Sequence, residues 1–284
     1  VELAQMMRRM GVKVTLVTRS HLLPGAEPEV SQALTDAFNA EGITLLTGLR
    51  YDSVRRDAAG VTLRIMQGGE PVEVTADHLV STAGRRANTG GLGLEDIGVK
   101  TDARGSIVTR DDMQTTVPGI YAAGDVTDRD QFVYMAAYGA KLAAKNAVLG
   151  DDQRYDNSVM PWVVFSDPQV AGVGLSEQQA RDAGFDVKTS VVPLDQVPRA
   201  LAARDTRGLI KLVADKATDR LLGGQIIAPE GSDTIQTLVM ALKFGMTTKA
   251  LGETIFPYLT TVEGLKLAAQ TFDMDVAKLS CCAG

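Results

Sequence analysis

Apolar residues recur at helical spacing in the first ten positions, at Leu3, Met6, Met7 and Met10, and the run stops at Gly11, a residue type that commonly ends helices. The next segment, Val12-Lys13-Val14-Thr15-Leu16-Val17, alternates apolar and polar side chains as a half-buried strand does. Together they read as the second half of a strand-helix-strand unit whose first strand and glycine loop precede Val1. Residues 28–41 have helical periodicity closed by Gly42, and residues 43–46 predict a strand. Segments 61–65 and 72–75 flank Gly68-Gly69 and so predict an antiparallel pair around a tight turn. Residues 78–82 predict one more strand, running into Ala83-Gly84-Arg85-Arg86.

A second stretch predicts short strands at 105–108 and 118–123, the latter leading into Gly124-Asp125, and then an Ala-rich helix over 132–149. Gly150-Asp151-Asp152 punctuates the chain and marks a domain boundary. Beyond it, Ser176 is placed to cap a helix over 176–183 that Gly184 closes. Segments 187–192, 209–213 and 221–227 read as strands of one antiparallel sheet, and 235–244 and 262–270 as helices. No internal repeat or low-complexity tract interrupts the pattern. The fold class this implies is α/β: a partial Rossmann-like domain over 1–82, part of a second nucleotide domain over 83–150, an α+β domain with an antiparallel sheet over 151–275, and a short tail over 276–284.

Composition narrows the classes of function. The 284 residues are enough for about two domains. Hydrophobic residues make up 45% and charged residues 23%, ordinary globular usage, and no apolar run approaches the roughly 20 residues that membrane insertion needs. A net charge of −6 argues against nucleic acid or an acidic membrane as partner, since both are held by clustered Lys and Arg. The opening Val1-Glu2-Leu3-Ala4-Gln5 carries neither a basic run nor a cleavage pattern, so the chain reads as cut from something longer. Its only two cysteines, Cys281 and Cys282, are adjacent, which excludes a disulfide framework and leads us to expect a reducing, cytoplasmic setting.

The candidate chemistry begins at the end of the first predicted strand. A carboxylate there would accept from a ribose 2′-hydroxyl, whereas an Arg accommodates a 2′-phosphate. Val17 is followed by Thr18, Arg19 and Ser20, so Arg19, with its planar fork, favours NADPH over NADH; an isolated solvent-facing Arg is the alternative. The run from Thr115 to Asp125 joins a buried strand, a glycine that allows close backbone approach and a carboxylate at the strand end, the requirements of a sugar-hydroxyl contact at a nucleotide crevice. As a whole string it resembles the second flavin motif of the pyridine nucleotide-disulfide oxidoreductases. The resemblance implies that Gly124 and Asp125 hold the ribityl chain of FAD, and that Gly84 and Arg85 belong to the link between the NADPH and flavin domains, with Ala87 in place of the usual Pro. It also implies that the backbone at Val133 opens a helix facing the flavin pyrimidine ring, that Glu2 lies close to the nicotinamide, and that the last domain makes a homodimer.

Within that family the carboxy-terminal region separates substrates. Glutathione reductase and lipoamide dehydrogenase resemble each other in a His-Pro followed by Glu, whose imidazole moves protons to and from a thiol. Here the string is Phe256-Pro257-Tyr258, and the two histidines, His21 and His78, lie in the nucleotide part. The segment from Phe256 to Gly264 resembles the mercuric reductases, which implies that Tyr258 lines an inner site for Hg(II), the substrate reduced to Hg(0). The ending Leu279-Ser280-Cys281-Cys282-Ala283-Gly284 resembles the tail with which those enzymes collect the metal, a soft ion suited to two thiolates. Family members relay electrons through a Cys-x4-Cys pair that the chain lacks, so the chain by itself is expected to be inactive. Two alternatives stay open: a large thioredoxin reductase, which should keep the catalytic His, and a non-catalytic dimerisation and metal-binding module without flavin.

Overall fold

In the computed structural model, residues 1–58 and 60–274 are described, and they form two compact units: Val1–Leu79 together with the chain from Ser158 onward, and Val80–Asn157.

In the first unit, helix α1 (Glu2–Arg9) leads to strand β1 (Thr15–Val17), helix α2 (Pro28–Ala40) and strand β2 (Thr44–Leu46), and β1 and β2 pair in parallel. A three-stranded antiparallel meander follows: β3 (Leu49–Asp57), β4 (Gly60–Gln67) and β5 (Glu70–Ala76), with β4 in the middle. The expected Gly68-Gly69 hairpin is present, and both glycines take the positive φ that a two-residue turn needs. The inner face of the meander, Leu49, Leu63 and Ile65, sits on Val17 and Leu46 at the ends of β1 and β2. The α1 stripe of Leu3, Met6, Met7 and Met10 faces outward, and the residue this helix buries is Gln5. The cause is polar: the Gln5 amide donates to Glu41 Oε1 at 2.8 Å and to the Asp167 carbonyl at 2.7 Å, and accepts from the Asp167 N–H at 2.7 Å.

The chain re-enters this unit at Ser158 and builds a five-stranded antiparallel sheet from β6 (Trp162–Val164), β7 (Gln169–Gly174), β8 (Val187–Pro193), β9 (Leu209–Asp215) and β10 (Leu221–Ala228), in the order β6-β7-β10-β9-β8. Alternation along each strand sends side chains to two different cores. Ala171, Ile210, Leu212 and Ile226 meet the helices α6 (Gly231–Lys243), α7 (Thr248–Glu253) and α8 (Glu263–Gln270). Val170 and Ile227 point the other way, onto Val30, Leu34 and Phe38 of α2. Helix α4 (Glu177–Asp182) has the expected Ser176 cap, completed by the Gln179 side chain as a capping box. A short helix α5 (Pro198–Ala203) links β8 to β9. The six-residue helices α5 and α7 and the strand β3 are not foreseen by periodicity, whereas β6 and β7 fall where the pattern turns to strands from about Met160.

The second unit is mostly loops around helix α3 (Val133–Leu149), with Met113, Leu142 and Ala143 as its core. The strands expected at 105–108 and 118–123 reduce to isolated bridges, Thr101 to Ile107, Thr109 to Thr115 and Gln114 to Tyr121. Residues 78–82 also form no strand, because among the described residues no neighbouring strand pairs with them, and Leu79 and Val80 stay exposed.

The two sequence-distant parts of the first unit are joined by charge as well as by apolar contact. Lys211 on β9 is buried, and its ammonium donates to Glu27 at 3.0 Å, Glu29 at 2.9 Å and Glu177 at 3.0 Å. Burial disfavours this ammonium, yet its bonds to Glu29, Glu27 and Glu177 outweigh that and hold its pKa above the ordinary value. The Glu27 N–H donates to the Gln225 side chain at 2.7 Å, and Glu27 Oε1 accepts from the Glu177 N–H at 2.6 Å. Removing Lys211 strands the buried Glu27 carboxylate, so Lys211→Met is expected to cost about 3–5 kcal/mol in denaturant unfolding, with part of the loss recovered in Lys211→Met/Glu27→Gln. The acid side of the stability profile carries the same signature. Arg181 and Lys211 lower the Glu177 pKa, and Arg9 chiefly lowers that of Glu41, so their contribution is full above the ordinary value of 4.5 and is lost as pH falls through the lowered values. The Lys211 contribution is full below its ordinary 10.5, so stability is expected to fall on the acid side and to hold from about pH 5 to 10 in thermal melts across pH.

Candidate functional site

The turn after β1 is held from several directions. The Thr18 N–H donates to the Leu46 carbonyl at 2.9 Å, the Leu49 N–H to the Arg19 carbonyl at 3.1 Å, and the Gly48 N–H to the Ser20 carbonyl at 3.4 Å. The Tyr51 hydroxyl donates to the Val17 carbonyl at 3.1 Å. Arg19 projects from this clamped turn, exposed, and its guanidinium has no protein partner among the described residues. Glu2, at the first position of α1, accepts the Phe165 N–H at 2.7 Å and so ties this helix to the loop after β6.

In the second unit the sequence-predicted residues converge on the start of α3. Gly124 has φ 81°, and Asp125 begins a single 3-10 turn there. A Cβ at Gly124 would lie 3.2 Å from the Ala136 Cβ on the first turns of α3, so the glycine permits both the conformation and the close approach. Asp125 is more than half exposed, and its one close cation among the described residues is Arg85 at 3.8 Å, a solvent-screened pair that leaves the carboxylate able to accept hydroxyls. Gly84, with φ 110°, directs the chain into Arg85. Val133 is the first residue of α3, whose N-terminus has no side-chain cap, so the helix presents its positive end at an exposed position. Asn146 anchors the far end of this helix by donating to the Asp112 and Gln153 carbonyls, each at 2.9 Å.

On the antiparallel-sheet side, Phe256 packs against the apolar core between α7 and α8. Two residues on, Tyr258 is 59% exposed, on a loop that the buried Glu263 braces by accepting the Leu259 N–H at 3.2 Å. The structure therefore separates a partly buried Phe from an accessible Tyr within one tripeptide. Cys281 and Cys282 lie outside the described residues. Among the described residues no group of three or more His, Cys, Asp or Glu side chains is arranged to hold a metal ion. Nor is any helix long and apolar enough to cross a membrane. Periodicity did not single out Tyr51, Gln5 or Lys211, because the partners of each lie in other elements and no local spacing signals them.

With strand, turn, glycine and carboxylate in this arrangement, the class of protein is defined by two sequence matches: residues 1–144 match the pyridine nucleotide-disulphide oxidoreductase family, and residues 160–269 match that family's dimerisation domain. The chain belongs to the pyridine nucleotide-disulphide oxidoreductases. Its curated relatives include the mercuric reductase of Bacillus cereus, 47% identical over all of this chain and 45% of that protein, and that of Streptomyces lividans, 45% identical over all of this chain and 60% of that protein. The mercuric reductase of Staphylococcus aureus is 44% identical over all of this chain and 52% of its own length. The chain thus spans about half the length of the curated relatives it matches. Similar solved structures include LpdA from Mycobacterium tuberculosis, with a TM-score of 0.85 at 28% identity over 96% of this chain and 59% of that one. The HOCl-induced flavoprotein disulfide reductase RclA from Escherichia coli has a TM-score of 0.84 at 26% identity, over 94% of this chain and 61% of that one.

The tight approach at Gly124 has a measurable consequence. Gly124→Ala puts a side chain at positive φ against Ala136 and is expected to lower the unfolding free energy by about 1–2 kcal/mol, read by thermal melting; an unchanged transition would mean that the approach is not tight.

Proposed function

We propose that this chain serves an NADPH- and FAD-dependent mercuric reductase, which reduces thiolate-bound Hg(II) to Hg(0). The observation that carries the reading is the tripeptide Phe256-Pro257-Tyr258, whose first side chain is a partly buried phenyl ring packed against an apolar core, a group with no proton to exchange. Reduction of a disulfide needs a group to protonate the leaving sulfur, whereas reduction of Hg(II) needs two electrons and soft ligands. Identities of 44–47% to mercuric reductases along the whole chain support the same choice.

In this reading Arg19 holds the 2′-phosphate of NADPH through its planar fork, and Glu2 lies toward the nicotinamide end. Asp125 accepts hydroxyls of the ribityl chain of FAD, and Gly84 and Arg85 shape the approach to it. The uncapped start of α3 at Val133 turns a positive helix end toward the electron-rich pyrimidine edge of the flavin. When bound, FAD supplies hydride acceptance from NADPH and two-electron delivery to the metal. Tyr258 lines the path of the metal, and the adjacent thiolates of Cys281 and Cys282 collect it. Residues 1–82 act as the NADPH part, 83–150 as the flavin part, 151–275 as the interface of a homodimer, and 276–284 as the tail, in a cytoplasmic enzyme.

The full-length protein is expected to oxidise NADPH only when Hg(II) is added, and Tyr258→Phe is expected to lower that rate by about tenfold or more while leaving NADPH affinity unchanged. In a thiol-competed assay Cys281→Ala/Cys282→Ala should lose Hg(II) uptake. Turnover of disulfides with indifference to mercury would reject the assignment.

A further inference from the structure

The residue that faces the β1 turn from a different element is Tyr51. It stands third in β3, in register with the fully buried Ile65, and the pairing of β3 with β4 slips between Tyr51 and Ser53. Such an irregularity bends a strand and re-aims the neighbouring side chains. Here the Tyr51 hydroxyl reaches from β3 to the Val17 carbonyl on β1 at 3.1 Å. Val17 is the last residue of β1, two positions before Arg19, so this bond acts on the backbone that carries the guanidinium. The other ties of the turn, at Thr18, Arg19 and Ser20, are main-chain bonds that any sequence could make. The Tyr51 bond is the one that a side chain from another element supplies, among the described residues.

We propose that Tyr51 is a positioning residue for recognition of an adenosine 2′-phosphate, holding the turn at Val17 so that Arg19 meets the phosphate with little backbone freedom left to lose. The proposal rests on the reading of Arg19 as the 2′-phosphate ligand. An Arg side chain surrenders considerable rotamer freedom on binding, and a turn that is already fixed keeps the backbone from adding to that loss. The hydroxyl proton is spent on the Val17 carbonyl, so in this proposal its effect passes through the backbone that carries Arg19. A ligand without the 2′-phosphate should not sense it.

The test uses the full-length protein and calorimetric binding of adenosine 2′,5′-bisphosphate, with adenosine 5′-monophosphate as the control, so that the readout does not depend on turnover. Tyr51→Phe keeps the ring and its packing while deleting the hydroxyl. It is expected to weaken bisphosphate binding by roughly three- to tenfold, the worth of one hydrogen bond, and to leave monophosphate binding unchanged. In the Arg19→Ala background the same substitution should add nothing, the mark of two residues acting as one. Three outcomes would overturn the proposal: unchanged bisphosphate affinity in Tyr51→Phe, equal weakening for both nucleotides, or full additivity with Arg19→Ala. Should Arg19→Ala itself leave the preference for the bisphosphate intact, the NADPH reading fails, which is a different result from the failure of Tyr51 alone.

Discussion

The first unit depends on a buried ammonium shared among three carboxylates. Lys211 stands on β9, an interior strand of the antiparallel sheet that is buried on both faces, a place where a lone charge would be too costly to keep. Glu27 and Glu29 arrive from the start of α2, about 180 residues earlier in sequence, and Glu177 from the start of α4. The same Glu27 is locked at its N–H by Gln225 and at its other oxygen by the Glu177 amide, so every polar group brought inside finds a partner. An apolar contact alone would let α2 slide along the sheet. Directed bonds to one nitrogen set its position.

A second polar junction does comparable service at the other end of the unit. Gln5 on α1 reaches the Glu41 carboxylate and the Asp167 backbone, while Arg9 and Arg207 bracket the carboxylates of those two residues. Glu2 adds its bond to the Phe165 amide. The elements α1, β1 and α2 are thereby attached to the antiparallel sheet at both ends of α2, and the β1 turn inherits a fixed base. In the proposed reading of Arg19 as a phosphate ligand, its guanidinium would benefit from a backbone with nowhere else to go.

The second unit works differently. It has little regular structure, yet Gly124, Asp125 and the start of α3 are set by a glycine conformation and by one close contact with Ala136. Asn146 and the Tyr155 hydroxyl, which donates to Asp130 at 3.0 Å, anchor the loops around it. Burial first, and then the Asp130 carboxylate, hold the Tyr155 phenol well above its ordinary pKa, so it stays a donor at any physiological pH. The geometry at Gly124 and Asp125 thus depends on backbone placement, which is what the proposed flavin contacts would require.

The sequence by itself determined the helices α2, α3, α4, α6 and α8, the antiparallel character of β8, β9 and β10, the Gly68-Gly69 hairpin and the family motif around Gly124-Asp125, because each is written in spacing or in a residue with one conformational use. It misjudged 78–82, where strand-forming side chains lack a partner strand among the described residues, and the helical spacing of α1 did not signal that Gln5 is the residue it buries. Only the tertiary structure decided which carboxylates surround Lys211, that Tyr51 reaches Val17, and that Phe256 turns inward while Tyr258 turns out. Those choices join residues tens to hundreds of positions apart. Periodicity reports which face of an element is apolar; it carries no information on which polar group from another element will arrive to satisfy a buried one.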